Sequence, residues 1–297
     1  MKKVLVSAAV LLVMGCSDPE APVQTLAGSA EQSVAAAVEE TADQLSESRR
    51  LTIWLDEQFA EQLEFNPQWK TQLGDKSDYD KLNDASEEAA ARQLEWRRNS
   101  VAQMQSMFDY DALDEDAKTS WDTWIYTLER EERAEPYRRH AYIFGRGGPH
   151  ASLPNFMINY HKVDELSDMQ AYIARLDQLD EVLGQYQQRA LRAIEAGIRQ
   201  PRFNYDYALA EISRITSGEP FDEDGISPLW NDVEIKINAL VENDQIDQAT
   251  AQGLLEDAKA VFVEQLQPAY ESLSNWLFAD RQNATEDAYG VWALPNG

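Results

Sequence analysis

Three histidines, His140, His150 and His161, are the only imidazoles in the chain. A zinc site needs ligands that converge, and on a helix that means pairs at i and i+4. These histidines lie ten and eleven residues apart, and no H-E-x-x-H occurs anywhere. The stretch carries no zinc motif. His161 has Glu165 four residues on, a spacing that reads as a local contact at a helix start near Asp164. The run "YIFGRGGPHASLP", Tyr142 to Pro154, is more unusual. Gly145, Gly147 and Gly148 permit close backbone approach, and Arg146 and His150 suit a carboxylate. The run lacks the spacing and the lysine of a phosphate-binding loop. It reads as a structural turn, with a groove or interface element as the alternative. Arg146, His150 and His161 are therefore the candidate groove residues, with no catalytic residue and no metal ligand assigned. No G-x-S-x-G marks a serine nucleophile. Glu129, Glu131, Glu132 and Glu135 read as a solvated helix face, and Trp121 with Trp124 as core.

The elements that must position these residues are helical. Leu51, Trp54, Leu55, Phe59 and Leu63 share one face, and Asn66-Pro67 ends that helix. Asn66 then caps a short helix with Pro67 at its first position and Gly74 beyond its end. Asp84 with Glu87 forms a capping-box pattern for a helix reaching Phe108, with Leu94, Val101, Met104 and Phe108 as its stripe. Asp114 opens the next, carrying Ala117, Trp121, Trp124, Ile125 and Leu128. Ser167 with Gln170 predicts a second capping box and one long helix that Gly197 stops, burying Met169, Tyr172, Leu176, Leu179 and Leu183. Further helices are predicted from Tyr205 to Thr216, from Ser227-Pro228 to Val241, and from Ile246 to Phe278 with a kink at Pro268. Nothing alternates with period two for long enough to be a strand. The fold class is all-α, a multi-helix domain continuous over 48–297.

Composition agrees with a globular core: 43% of the 297 residues are hydrophobic, with 8 Trp, 12 Tyr and 9 Phe. Asp and Glu number 53 against 26 Lys and Arg, a net charge of −27. A field of that sign repels phosphate backbones, so nucleic acid is not a partner. It reads as a solvated acidic surface, the alternative being an acidic groove for cationic peptides. The start, "MKKVLVSAAVLLVMGCSDPE", has Lys2 and Lys3 before an apolar run too short to span a bilayer. It resembles a bacterial lipoprotein signal, with Val13, Met14, Gly15 and Cys16 at the lipobox positions. That resemblance implies a signal peptide over 1–15, lipidation of Cys16, and an envelope anchor facing the periplasm. Ser17 favours the outer membrane by the sorting pattern of such lipoproteins. Residues 16–47, rich in Ala, Glu, Gln, Ser and Pro, read as a flexible tether.

The segments "NPQWKTQLGDKSDYDKLND", "YRRHAYIFGRGGPHASLPNFMINYHKVDELSDMQAYIARLDQL", "AIEAGIRQPRF" and "YGVWALPNG" appear in that order. The succession resembles the bacterial family catalogued as domain of unknown function 885, from about Arg50 onward. Members are helical, frequently lipoproteins, and similar to zinc carboxypeptidase-type metallopeptidases. The resemblance implies a His-Glu-x-x-Pro-Gly-His zinc motif further downstream, none of whose residues is in this sequence. The closing Pro295-Asn296-Gly297 is a turn signal with nothing on its far side. The implied reading is the amino-terminal helical half of an envelope-anchored, zinc-dependent peptidase-like lipoprotein, inert alone, with peptide as the possible substrate. The alternative is a non-enzymatic helical binding or scaffold lipoprotein. Reading the gene past codon 297 separates the two.

Overall fold

The computed structural model describes residues 45–223, 225–288 and 290–295. The leader, Cys16 and nearly all of the tether lie outside the described residues. Glu47 to Gly297 forms a single unit. The described residues are all-helical apart from one bridge between Glu219 and Ile226.

The first lobe is built by α1 (Glu47–Leu63), the short α2 (Pro67–Gln72), α3 (Glu87–Met107) and α4 (Glu115–Ala134). Its core is Leu51, Trp54, Met104, Phe108, Leu113, Ala117 and Trp121. The Trp54 ring sits 5.8 Å from Phe108 and 6.4 Å, edge-on, from Trp124. Aromatic pairs in that geometry add to the burial of their large faces. Phe59 points away from this core and stays 37% exposed, so the predicted α1 stripe is narrower than its apolar residues suggest.

The second, larger lobe holds α5 (Pro149–Tyr160), α6 (Leu166–Asp177), α7 (Leu179–Glu195), α8 (Arg202–Ile215), α9 (Pro228–Glu242), α10 (Gln248–Val261) and α11 (Gln267–Asp280). Met157, Tyr172, Leu176, Tyr205, Ile237, Phe262 and Leu277 are central to its core. Burying each such side chain contributes roughly 1.5–3 kcal/mol before chain entropy is counted.

Local chemistry corrects several expectations. Ser86, not Asp84, caps α3: its Oγ accepts from the Ala89 backbone N–H at 3.0 Å, while Asp84 accepts from the N–H of Ser86. Asn66 occupies the cap position of α2 without a side-chain cap bond, its amide donating back to the Gln62 carbonyl. The second capping box is formed by Glu165 and Asp168 rather than Ser167 and Gln170. The single long helix predicted there is two, α6 and α7, joined at Gln178. The Gln178 amide donates to the Asp80 carbonyl, drawing the junction toward the first lobe's loop. Pro268 sits in the first turn of α11, and the strain it would place on a continuous helix is relieved by a π-helical turn, Phe262–Leu266. The second half of the Tyr142–Pro154 run, predicted as loop, is the start of α5 with Pro149 at its amino end.

A candidate ligand cleft on the first lobe

His161 is buried and fully engaged. Arg175 Nη1 donates to its Nδ1 at 2.9 Å. Arginine has no acceptor, so Nδ1 is unprotonated and Nε2 carries the hydrogen, donating to the Asp168 carbonyl at 3.0 Å. Burial, with the Arg175 charge adding to it, pushes the imidazole down to about 3. Arg175 itself is wholly buried and also donates to the carbonyls of Lys81 and Asp78 and to Thr71 Oγ1. Burial brings its guanidinium down to about 10. The Arg175–His161 pair ties α2 and the 78–82 loop to α5 and α6. It holds architecture together and offers no free donor or base.

His150 lies eleven residues earlier, at the other end of α5, so the two imidazoles do not converge. Its Nε2 is 2.9 Å from Glu211 Oε2, and the same carboxylate accepts from the Gly147 N–H at 3.0 Å. Burial lowers the His150 pKa against the pull of Glu211. Gly148 is required here, since a Cβ would stand 2.5 Å from the Ile143 carbonyl oxygen. The geometry is that of a turn strapped to α8. Arg146 stays exposed at its tip, its guanidinium 6.0 Å from the Tyr207 ring.

The open cavity lies elsewhere. A cleft of about 670 Å³ runs between the end of α1, the first three turns of α3, the end of α4 and Arg189 of α7. Phe65, Leu94 and Trp96 give it an apolar wall. The Trp96 ring is held edge-on to Phe65 at 5.7 Å and to Trp124 at 6.2 Å, and its Nε1 donates to Glu61. Into this wall is set Arg97, only 4% exposed. Its guanidinium lies 4.3 Å from the Trp124 ring centre and 4.9 Å from that of Trp96. Nε and Nη1 have no hydrogen-bond partner. The nearest carboxylate, Glu131, is 3.9 Å away, beyond hydrogen-bond reach. Burial lowers the Arg97 pKa, with Glu131 opposing. A buried cation with two orphaned N–H groups is costly, and native structures rarely keep one without a reason.

The rim is clamped by Glu87 at the start of α3. Arg139 grips its carboxylate with two bonds, at 3.1 and 3.0 Å, and Arg192 of α7 adds a third at 3.1 Å. The Arg139 bonds, then Arg192, hold the Glu87 carboxyl down to about 2. Arg98 bonds Glu132 across α3 and α4 at 2.8 Å. Four glutamates and four arginines line the cleft, so its formal charge is zero within a chain of −27. An anionic ligand repelled by the rest of the surface is tolerated there.

What the site can do is bind. Zinc does not fit the described residues: no three His, Cys, Asp or Glu side chains gather, and both ring nitrogens of His161 are in hydrogen bonds. The sequence reading missed Arg97, although a signal was present. Leu94, Val101, Met104 and Phe108 leave a gap in the buried stripe at the turn where Arg97 falls. Glu131, read as part of a solvated face, is 36% exposed and lines the cleft.

No curated protein matches this chain. Four chains of solved structures do. One is the crystal structure described as the "putative lipoprotein from Colwellia psychrerythraea", with a TM-score of 0.63 and 16% identity over 85% of this chain. The match covers 44% of that protein, so this chain spans less than half its length. At that identity the likeness shows the fold. The sequence likeness goes further: residues 67–297 match the family described as bacterial protein of unknown function (DUF885), and the protein belongs to it.

Proposed function

We propose that the chain is the helical, substrate-binding part of an envelope-anchored, zinc-dependent peptidase-like lipoprotein, and that the cleft between α1, α3 and α4 receives short peptides. One observation carries this reading: a cleft of about 670 Å³ pairs an aromatic wall with a buried guanidinium that finds no acceptor. A peptide supplies both an apolar side chain and carbonyl or carboxylate oxygens. Metal chemistry has no place among the described residues and is assigned none of them. The solved relative of lipoprotein description supports the envelope assignment, as does the leader ending at Cys16. No helix among the described residues is long and apolar enough to cross a membrane.

Calorimetric titration of the full chain with short apolar peptides tests the reading. Saturable binding is expected, and Ala91→Trp, which plugs the cleft, abolishes it. Peptides that do not bind, or that ignore the plug, contradict it. The anchor has its own test. Metabolic labelling with a fatty acid is expected to mark the wild-type chain and not Cys16→Ser; equal labelling of both removes the lipoprotein claim.

A non-enzymatic binding lipoprotein is the rival, favoured by the commitment of both His161 ring nitrogens to internal hydrogen bonds. It keeps the peptide cleft and forgoes turnover. Hydrolysis and zinc content, measured on the protein expressed from the complete reading frame, decide between them.

A further inference from the structure

Arg97 invites a narrower question than whether peptides bind. Its guanidinium is 4% exposed, set against two indoles, and short of acceptors at Nε and Nη1. The contrast with Arg175 is instructive. That arginine is buried more deeply, yet four of its donor contacts end on oxygen or on the His161 nitrogen. The fold can therefore satisfy a buried guanidinium where the role is structural. At Arg97 it does not, and Arg97 is one of the residues that line the cleft.

We infer that Arg97 recognises the free carboxylate of a peptide carboxyl terminus whose last side chain is apolar. The inference rests on the peptide-binding reading and sharpens it. A carboxylate brings two coplanar oxygens, which match the paired N–H groups of a guanidinium better than one carbonyl does. Phe65, Leu94 and Trp96 line the same cleft and receive the last side chain. A phosphate is disfavoured, because a second negative charge would sit near Glu131 and Glu135. Glu131, 3.9 Å from Nε, competes for the guanidinium without bonding it. The neutral balance of the lining is what allows an anion into a surface of charge −27.

The test compares one apolar tripeptide as the free acid and as the carboxyl-terminal amide, titrated into the full wild-type chain, Arg97→Gln and Glu131→Gln. The acid is expected to bind about tenfold or more tightly than the amide, the scale of one charge-assisted hydrogen bond. Arg97→Gln is expected to reduce that preference to near unity. Glu131→Gln is expected to tighten the acid alone. Equal affinities for acid and amide overturn the carboxylate role and leave the peptide reading standing. A preference that survives Arg97→Gln overturns it too, because another group then reads the carboxylate. Binding of phenylbutyrate without any peptide binding would sink the peptide reading and keep the Arg97 assignment. Absence of binding by all three probes overturns both. If Arg97→Gln fails to fold, by circular dichroism, Glu131→Gln decides alone: acid affinity unchanged from wild type overturns the inference.

Discussion

Two buried arginines make the residue-scale case. Removing Arg175 orphans the Lys81 and Asp78 carbonyls and bares His161 Nδ1. Each buried group left unpaired costs about 1–3 kcal/mol, so Arg175→Met is expected to lose at least 3 kcal/mol. Arg97→Met removes a cation whose donors are already unpaired, and a thioether packs well between Trp96 and Trp124. Its stability is expected to stay within about 1 kcal/mol of wild type, or to rise. Urea unfolding of both variants checks the contrast; a larger loss at Arg97 would make that residue structural. His161 gives a pH signature. Its folded pKa of about 3 lies below the ordinary 6.5, so between those values the unfolded chain binds the extra proton. Stability is full above pH 6.5 and is lost as pH falls toward 3, by up to about 1.4 kcal/mol per pH unit. His150, depressed in the same direction, adds to that slope. Stability measured from pH 7 to 5 should fall, and His161→Asn should flatten the slope even though it lowers stability at pH 7. An unchanged slope in that variant would contradict the account.

At the scale of elements, caps and stops set where each helix begins. Ser86→Ala is expected to cost about 1 kcal/mol, because it leaves an α3 end N–H unpaired, and Asp84→Ala less. Comparable losses would restore Asp84 as the cap. Much of this was legible beforehand. The α4 start at Asp114, the Pro228 start of α9 and the Gly197 stop were readable from residues whose backbone preferences are local. The α6–α7 break was not, since Gln178 is an ordinary helix former and its junction depends on the Asp80 carbonyl of a distant loop. The π-turn before Pro268 was half legible: proline announced a defect, but the packing of Phe262 and Leu266 chose its form. The candidate site was least legible of all. Arg146 and His150 attract notice through glycine-rich neighbours, whereas Arg97 is one charged residue in a helix, made unusual only by what surrounds it.

For the whole molecule, Glu87 is one of several polar links between the lobes, alongside Arg175 and Gln178. Its carboxyl is held at about 2 against the ordinary 4.5, and its side chain is 11% exposed. The stabilisation is complete above pH 4.5 and is lost as pH falls through 2. Glu87→Gln is expected to remove that acid limb and to lower the thermal midpoint. A sharp single transition at the wild-type midpoint would show that the clamp is dispensable. The ligand cleft lies on the first lobe, walled by the end of α1, α3 and the end of α4, with Arg189 of α7 at its edge. The most direct measurement is therefore a crystal structure of the full chain with an apolar tripeptide acid. The account predicts the peptide in the cleft between α1, α3 and α4, its terminal carboxylate about 3 Å from the Arg97 guanidinium and its last side chain against Trp96. A peptide seated elsewhere, with Arg97 still lacking an acceptor, would contradict it.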